Sequence, residues 1–253
     1  MLEELATQAF WIGLAKIIGV NVVLSGDNAV VIALAARSLP PKQQAQAIIW
    51  GAGAAVVLRI ILTIFAVALL ALPWLKIVGS LLLFWIGIKL LVPEDDEADI
   101  NASDHMFTAI KTILIADLVM SLDNVIGVAA AAGGSMTLLI LGLAISIPLV
   151  VFGAKLLVTL MERFPAIITI GAALIGMVAG EMLVTDPVAL DWMKGMAGIR
   201  IDEGKPMLNA INLELAAGVI GAVIVVVWGL WLAKRQEAAA KTASDEKIQT
   251  GNS

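Results

Sequence analysis

The sequence predicts an all-α membrane protein that crosses the bilayer about seven times, as two inverted three-helix repeats plus one extra helix. Hydrophobic residues make up 60% of its 253 positions and charged residues only 15%, and the mean hydropathy is +0.99. Soluble domains are about half apolar and about a quarter charged. The apolar residues also fall in long runs, and about 20 such residues suffice to span the hydrocarbon core.

The composition excludes several classes of site. The chain has no cysteine and a single histidine, His105, which rules out disulfides, thiolate ligands and a multi-histidine metal centre. A net charge of −5 offers no basic surface for nucleic acid. The sequence has no phosphate loop, nucleophile motif or cofactor motif, so we expect no cofactor and no enzymatic activity. The acidic N-terminus lacks the basic region of a cleaved signal peptide, so we expect the first span to be retained.

Proline and glycine separate the apolar stretches. Pro40-Pro41 lies between the first two, Pro73 and Pro165 precede the third and the sixth, and Gly133-Gly134 divides the fourth from the fifth. We expect the spans at 8–36, 44–71, 74–92, 107–132, 136–160, 165–185 and 210–233.

The chain contains an internal repeat. Asp123 follows Asp27 by 96 residues in a matching context, and Pro165 follows Pro73 by 92. Three spans per unit force the two units into opposite orientations, as in many secondary transporters whose site lies at the repeat interface. The predicted divisions are a first repeat (1–92), an acidic cytoplasmic loop (93–106), a second repeat (107–185), an extracytoplasmic loop (186–209), a seventh helix (210–233) and a disordered cytoplasmic tail (234–253). The tail is expected to begin with an Ala-rich helical stretch before its disordered end.

Basic residues predict the orientation, because cytoplasmic loops carry more Lys and Arg. The richer side holds Arg37, Lys42, Arg163, Lys234, Arg235, Lys241 and Lys247, and the other holds Lys76, Lys194, Arg200 and Lys205. We therefore expect the C-terminus in the cytoplasm and the N-terminus outside, in a bacterial inner membrane. The acidic loop is either a solvated linker, which we favour, or a collector of cations.

Both repeats carry a polar motif inside an apolar span. Helical spacing places one set of side chains on a common face in each copy: Asn21, Ser25 and Asn28, and Asp117, Ser121 and Asn124. Asp27 and Asp123 lie beside these faces. An aspartate at the centre of a span costs about 2.5–3.5 kcal/mol on insertion scales, so its presence in both copies indicates a function. Gly26 would ease either a local unwinding or close helix packing before Asp27.

Carboxylate, carboxamide and hydroxyl oxygens are hard ligands that suit Mn²⁺, Mg²⁺ or Ca²⁺. We therefore predict a cation site in the membrane. Its ligands would come from six residues: Asp27, Asn28, Asp117, Asp123, Asn124 and Asn21. The alternative is a set of polar contacts that only hold the helices together.

Two pairs of charged residues lie outside the motifs, and the sequence leaves two roles open for each pair. Arg59 and Lys155 lie at nearly equivalent places within spans. They either pair with the aspartates when no ion is bound, or they snorkel or form fixed salt bridges. Lys89 and Glu181 are equivalent under the 92-residue shift. Glu181 is either a further ligand or proton carrier, or part of a structural ion pair.

Three runs of sequence resemble the TerC family of integral membrane proteins, in its short seven-span subgroup. They are LSGDNAVVIALAARSLP (24–40), DLVMSLDNVIGVAA (117–130) and MERFPAIITIGAALIGMVAGEMLVTD (161–186). The resemblance implies a kinship with the lysine-exporter superfamily and with Golgi-type Mn²⁺/Ca²⁺ transporters, and hence export of Mn²⁺. It implies ion-binding positions at Asp27 and Asn28, and at Asp117, Asp123 and Asn124. Many relatives hold an acid where this chain has Asn21.

The expected function is therefore export of Mn²⁺ from the cytoplasm through the lipid bilayer, by exchange with protons. The family is named for tellurite resistance, but tellurite is an anion that aspartates would repel, so we interpret that phenotype as indirect. The alternatives are export of Ca²⁺ or Mg²⁺, or a scaffold without transport. An intramembrane aspartyl protease is disfavoured because Leu-Ser-Gly precedes Asp27, in place of Gly-x-Gly.

Overall fold

The structure, a computed structural model, describes residues 8–65, 72–92, 102–132, 135–196, 198–202, 204–209 and 211–250. Within these ranges the chain is almost entirely helical, which confirms the predicted all-α membrane fold. The helices are α1 (Gln8–Leu24), α2 (Gly26–Ala36), α3 (Pro41–Ile64), α4 (Leu75–Leu91), α5 (Ala102–Ala132), α6 (Met136–Arg163), α7 (Ala166–Val184), α8 (Pro187–Lys194) and α9 (Leu213–Thr250).

Among the described residues, five helices are each long and apolar enough to cross a membrane, and a bent pair, α1 with α2, makes up to six. Helix α4 fills the third predicted span with 17 residues, which is the lower limit of the usual length for a span. The count of seven, the repeats and the orientation stay predictions. Large apolar side chains on the outer faces of these helices are exposed, as a lipid-facing surface requires.

The first predicted span, 8–36, is two helices. The segments Phe10–Asn21 and Gly26–Ala36 meet at an angle of 50°, and Ser25 precedes α2 as its N-cap residue. The equivalent stretch of the second repeat continues through α5 without interruption. Gly26 stands where α5 has Leu122, and glycine disfavours a helix interior by about 1 kcal/mol relative to alanine. This difference between Gly26 and Leu122 explains why the helix is interrupted in the first copy of the motif and continuous in the second.

Helix packing places the polar motifs at the centre of the bundle. Helix α5 packs against α3, α2 and α1, and α6 packs against α1, α2 and α3. The main apolar core lies between α2, α3, α4, α5 and α7, around fully buried residues such as Ile48, Ile113 and Met182. The described parts of both predicted repeats therefore contribute to one core.

Helix α9 packs closely against α7 through glycines. A Cβ atom on Gly180 would lie 2.1 Å from the carbonyl oxygen of Ala217, and one on Gly221 would lie 2.2 Å from that of Gly176. Such an approach is possible only because Gly180 and Gly221 have no side chain to separate the two backbones. Helix α9, which lies outside the predicted repeats, is thus packed against the second repeat.

The predicted extracytoplasmic loop, 186–209, is folded rather than irregular. It contains α8 and two strands, β1 (Ile199–Asp202) and β2 (Lys205–Leu208), and β3 (Ile211–Asn212) follows it to complete an antiparallel sheet in the order β1-β2-β3. Gly204, at a φ of 80°, lies in the turn between the first two strands. The alternating Ile-Arg-Ile-Asp pattern of β1 was too short to be distinguished from a loop.

Asp186 holds this segment to the bundle. Its carboxylate is fully buried and accepts hydrogen bonds from the backbone N–H groups of Trp74, Lys76, Ile77 and Val188, at 2.8–3.3 Å. It therefore satisfies the free N–H groups at the starts of both α4 and α8.

Two other predicted boundaries are wrong. Helix α5 begins at Ala102, inside the predicted loop 93–106, because its first turn is polar and an apolar pattern does not reveal it. Helix α9 continues to Thr250 through most of the tail 234–253, for which an Ala-rich helical start followed by a disordered end was predicted. The stretch Gln236–Lys241 consists of residues with high helix propensity, which extend a helix without needing to be buried. Residues 93–101 and 251–253 lie outside the described residues.

Candidate cation site

The guanidinium of Arg59 lies at the centre of a buried polar cluster. Arg59 is 3% exposed. Its Nε donates to Ser121 Oγ at 2.9 Å, and its Nη1 donates to Asn21 Oδ1 at 2.8 Å and to Ser25 Oγ at 2.6 Å. Its Nη2 forms a salt bridge with Asp117 Oδ1. A buried charge is stable only when it is paired and hydrogen-bonded, and both conditions are met here.

The two copies of the motif meet Arg59 in the same way. In the first, Ser25 donates to Asn21 Oδ1, four residues earlier, at 3.2 Å. In the second, Ser121 donates to Asp117 Oδ2, again four residues earlier and at 3.2 Å. Each serine also accepts a hydrogen bond from Arg59. The arginine therefore lies between two matching pairs, one with an amide and one with a carboxylate.

Local structure explains how these side chains reach one another. Asn21 and Ser25 lie at the break between α1 and α2, and Asp117 and Ser121 lie in the middle of α5. The spacing of four residues stacks the members of each pair on one helix face. Arg59 extends from α3, which packs against α5.

Ser146 on α6 completes the cluster and was missed by sequence analysis. It is fully buried, accepts a hydrogen bond from Asn21 Nδ2, and donates to the carbonyl of Leu143 at 2.7 Å. It has no counterpart in the repeat and stands alone in an apolar span. A single serine there usually bonds to its own helix, so no sequence signal marks it.

Asn28 faces a small cavity beside the cluster. The cavity measures about 10 Å³, and its wall combines five apolar residues of α2, α3 and α6 with five polar ones: Asn21, Ser25, Asn28, Arg59 and Asp117. That volume is about the space needed by one water molecule. Asn28 is 2% exposed, and neither polar atom of its carboxamide has a hydrogen-bond partner among the described residues. A buried amide with both atoms unsatisfied is costly, and its natural complement is a polar or ionic ligand.

The remaining predicted ligands occupy different places. Asp27 is half-buried in the first turn of α2, where it accepts the N–H of Asn28 at 2.8 Å and complements the positive end of the helix dipole. Asn124 is half-buried on α5, seven residues after Asp117. The side chain of Asp123 lies outside the described residues. Of the predicted ligands, three therefore line the cavity, namely Asn21, Asn28 and Asp117. Asp27 precedes Asn28 in the chain.

In the part of the chain that is described, no three acidic, histidine or cysteine side chains come close enough to hold a metal ion together. The buried cluster is instead electrically balanced, with one cation, Arg59, against one anion, Asp117. The arrangement supplies several oxygen ligands around a place that a positive charge already fills.

The other charged residues do not join this cluster. Lys155, nearly equivalent to Arg59 in sequence, is exposed on α6. Glu181 packs against α9, with its Oε1 3.0 Å from the position that a Cβ atom on Gly218 would take. Lys89 lies over the ring of Trp85 at 5.3 Å. None of the three lines the cavity beside Asn28.

Comparison with known proteins places the chain in a family. The model described as "Integral membrane protein TerC family" matches residues 6–237. The uncharacterized membrane protein YjbE of Bacillus subtilis is 45% identical over 177 residues, covering 70% of this chain and 81% of the relative. The uncharacterized membrane protein YceF of the same organism is 26% identical over 190 residues, covering 71% and 74%. No solved structure matches. The resemblance found in the sequence is thus confirmed, and the chain belongs to the TerC family of integral membrane proteins.

Proposed function

We propose that this protein is a transporter, not an enzyme, and that it exports a divalent cation, manganese, from the cytoplasm across a bacterial inner membrane. The observation that carries the proposal is the position of Arg59. Its guanidinium binds Asp117 and the equivalent serines of both motif copies in the middle of a membrane bundle. A site lined by oxygen ligands and filled by the protein's own cation is suited to exchange that cation for another.

Charge balance favours exchange over simple addition. Asp27, Asp117 and Asp123 supply up to three negative charges, enough for a divalent ion with one to spare. With Arg59 in place and Asp117 paired, a second cation would meet repulsion in a medium of low dielectric. Loading therefore requires the guanidinium to leave Asp117. After release, Arg59 returns and neutralises the carboxylate, so that the empty state leaves no bare carboxylate at Asp117 in the membrane.

The ligand types select the class of ion. Carboxylate and carboxamide oxygens bind Mn²⁺, Mg²⁺ and Ca²⁺ in preference to soft metals. Within this class Mn²⁺ is proposed because of the family resemblance described above, and proton exchange because vacated carboxylates in an apolar setting take up protons readily.

The same salt bridge also favours a second candidate function. A buried ion pair with every donor directed to an oxygen could be a permanent structural element of a non-transporting membrane scaffold. In that case the substitution of either partner would affect only folding or partner binding.

Flux measurements in proteoliposomes separate the two functions. We expect the wild-type protein to transport Mn²⁺. Competition by Ca²⁺ and Mg²⁺ should rank the three ions by selectivity, and an imposed pH gradient should change the transport rate. Asp27→Asn and Asp123→Asn should each abolish flux while the protein stays folded. Asp191→Asn is the matched control, because Asp191 is exposed on α8 and paired only with Lys194 in the described structure. Absence of flux from folded wild-type protein, with or without the gradient, would favour the scaffold.

A further inference from the structure

The short helix α8 lies at one end of the bundle, where it follows α7 after only two residues. With eight residues it is about 12 Å long, far short of the roughly 30 Å of a hydrocarbon core. It therefore does not span the membrane. It lies either on the bilayer surface or in the water beyond it.

The buried carboxylate of Asp186 fixes the depth of α8 relative to the membrane. Its Oδ1 accepts the backbone N–H of Trp74 at 3.3 Å and that of Val188 at 2.8 Å. Trp74 directly precedes α4, whose 17 residues are about 26 Å long, close to the thickness of the hydrocarbon core. Trp74 therefore lies at the boundary between hydrocarbon and headgroups, and the first turn of α8 lies at the same depth.

Helix α8 has three faces with different surroundings. Met193 is buried, and α8 packs against β1 and α7, so the Met193 face is directed to the protein. Asp191 and Lys194 form an exposed salt bridge at 2.6 Å and make up a polar face. Successive residues of a helix are about 100° apart, so Trp192 lies equally far from Met193 and from Asp191. It shares this third face with Val188, one turn earlier.

The third face is apolar and exposed. Trp192 is 69% exposed, the largest value among the seven tryptophans of the chain. Because the Met193 face is turned to the protein and the salt bridge is turned to water, the Trp192 face points outward on the membrane side. Indole rings settle at the headgroup level, which is the depth that Asp186 gives to α8.

We propose that α8 is an interfacial anchor that lies on the bilayer and inserts Trp192 and Val188 among the lipid headgroups. With the predicted orientation, the leaflet is the outer one. The one acid and one base of α8 are paired with each other, so the helix has no net charge and binds the apolar boundary of the bilayer without needing anionic headgroups. Asp186 connects the inserted helix to the start of α4, so the contact also holds that end of the bundle at the membrane surface. The contact is independent of the cation proposed for the central site.

The chain has no cysteine, so a single nitroxide label can be attached to the full-length protein at a chosen site. Trp192→Cys and Val188→Cys place the label on the apolar face, and Lys194→Cys is the matched control on the polar face of the same helix. In phosphatidylcholine vesicles, electron paramagnetic resonance compares the collisions of each label with oxygen, which concentrates in the bilayer, and with a water-soluble nickel complex. We expect the ratio of oxygen to nickel collisions to be severalfold higher at positions 192 and 188 than at position 194.

Three results would overturn the proposal. If the nickel complex reaches all three labels equally, α8 lies in water. If neither reagent reaches positions 192 and 188, another protein chain covers this face. Trp192→Phe supplies a measurement without a label, since the fluorescence that this variant loses belongs to Trp192. Phosphatidylcholine brominated in the upper part of its acyl chains should quench that fluorescence, and the absence of quenching is the third contrary result.

Discussion

Arg59 donates hydrogen bonds to Asn21, Ser25 and Ser121 and forms a salt bridge with Asp117, all within the buried centre of the bundle. Each of these partners belongs to one of the two motif copies. The arginine therefore connects the two copies by polar contacts. Its loss would expose the second motif's carboxylate to an apolar surrounding.

That dependence predicts a strong coupling between Arg59 and Asp117. Arg59→Gln leaves Asp117 without its counter-charge and should lower the free energy of unfolding by about 3–5 kcal/mol, the usual cost of removing one partner of a buried pair. Unfolding in a detergent titration measures this value. Adding Asp117→Asn removes the stranded charge, so the double variant should be more stable than Arg59→Gln alone. If the two losses simply add, the pair is not the coupled unit described here.

The candidate site was partly predictable at the residue scale. The repeat itself identified Asn21, Ser25, Asp117 and Ser121 as members of matching faces, and they do converge. Their common partner was predicted only as an alternative: Arg59 was expected either to pair with the aspartates when no ion is bound, or to snorkel or form a fixed salt bridge, and it does pair with Asp117. The same alternative was offered for its nearest sequence counterpart, Lys155, which is exposed. Asn28 was predicted as a ligand, and its unsatisfied carboxamide beside the cavity is compatible with that role.

The break between α1 and α2 is the main feature at the scale of helices. It lets Asn21 and Ser25 direct their side chains into the cluster and starts a new helix whose first turn holds Asp27. Broken helices at the midplane are a common way to build ion sites in transporters. The sequence indicated that Gly26 would ease unwinding of the helix. Only the structure shows that the helix is interrupted in the first copy of the motif and continuous in the second, where Leu122 takes the place of Gly26.

A break that serves transport should be sensitive to helix propensity. A Cβ atom on Gly26 would meet nothing within 4 Å, so Gly26→Ala fits and should raise the free energy of unfolding by at most about 1 kcal/mol. If the break must flex during transport, Mn²⁺ flux in proteoliposomes should fall severalfold. Gly19→Ala is the matched control, since its Cβ also meets nothing within 4 Å. Equal flux in both variants would show that the break is only structural.

The contact between α7 and α9 makes the opposite prediction. Gly180→Ala would place a Cβ atom 2.1 Å from the backbone of Ala217, and backbone cannot move aside as a flexible side chain does. We expect a loss of about 1–3 kcal/mol, as for an overpacked core, measured by unfolding in detergent. Gly53→Ala on α3, where a Cβ atom meets nothing within 4 Å, should cost no stability and raise the free energy of unfolding by at most about 1 kcal/mol. A stable Gly180→Ala protein would contradict the packing described for this interface.

The whole molecule is predicted to lie in the membrane with its C-terminus in the cytoplasm. The long helix α9 ends in the charged stretch that supplies much of the basic excess on that side. A fluorescent protein fused to the C-terminus should therefore fold and emit, while an alkaline phosphatase fused there should be inactive. Active phosphatase with no fluorescence would reverse the orientation and with it the direction of export.

Fold class was predictable at this scale because hydropathy alone specifies helices in a bilayer, where every backbone group must be satisfied within its own segment. The extramembrane parts were less predictable. The strands of the sheet β1-β2-β3 are only two to four residues long, too short for a recognisable pattern. The buried cap formed by Asp186 depends on contacts between segments about 110 residues apart, which no local pattern contains.

If the oxygen ligands around Arg59 form the site of a divalent cation, the purified protein should bind Mn²⁺. Binding can be followed by the loss of the free-ion signal in electron paramagnetic resonance. Asp117→Asn should abolish binding. Asn21→Asp, which adds a carboxylate at the equivalent place with almost no change in shape, should tighten binding by at least about tenfold, since ligand charge sets the affinity of oxygen sites. Equal affinity in wild type and both variants, or no binding by folded wild-type protein, would contradict the account.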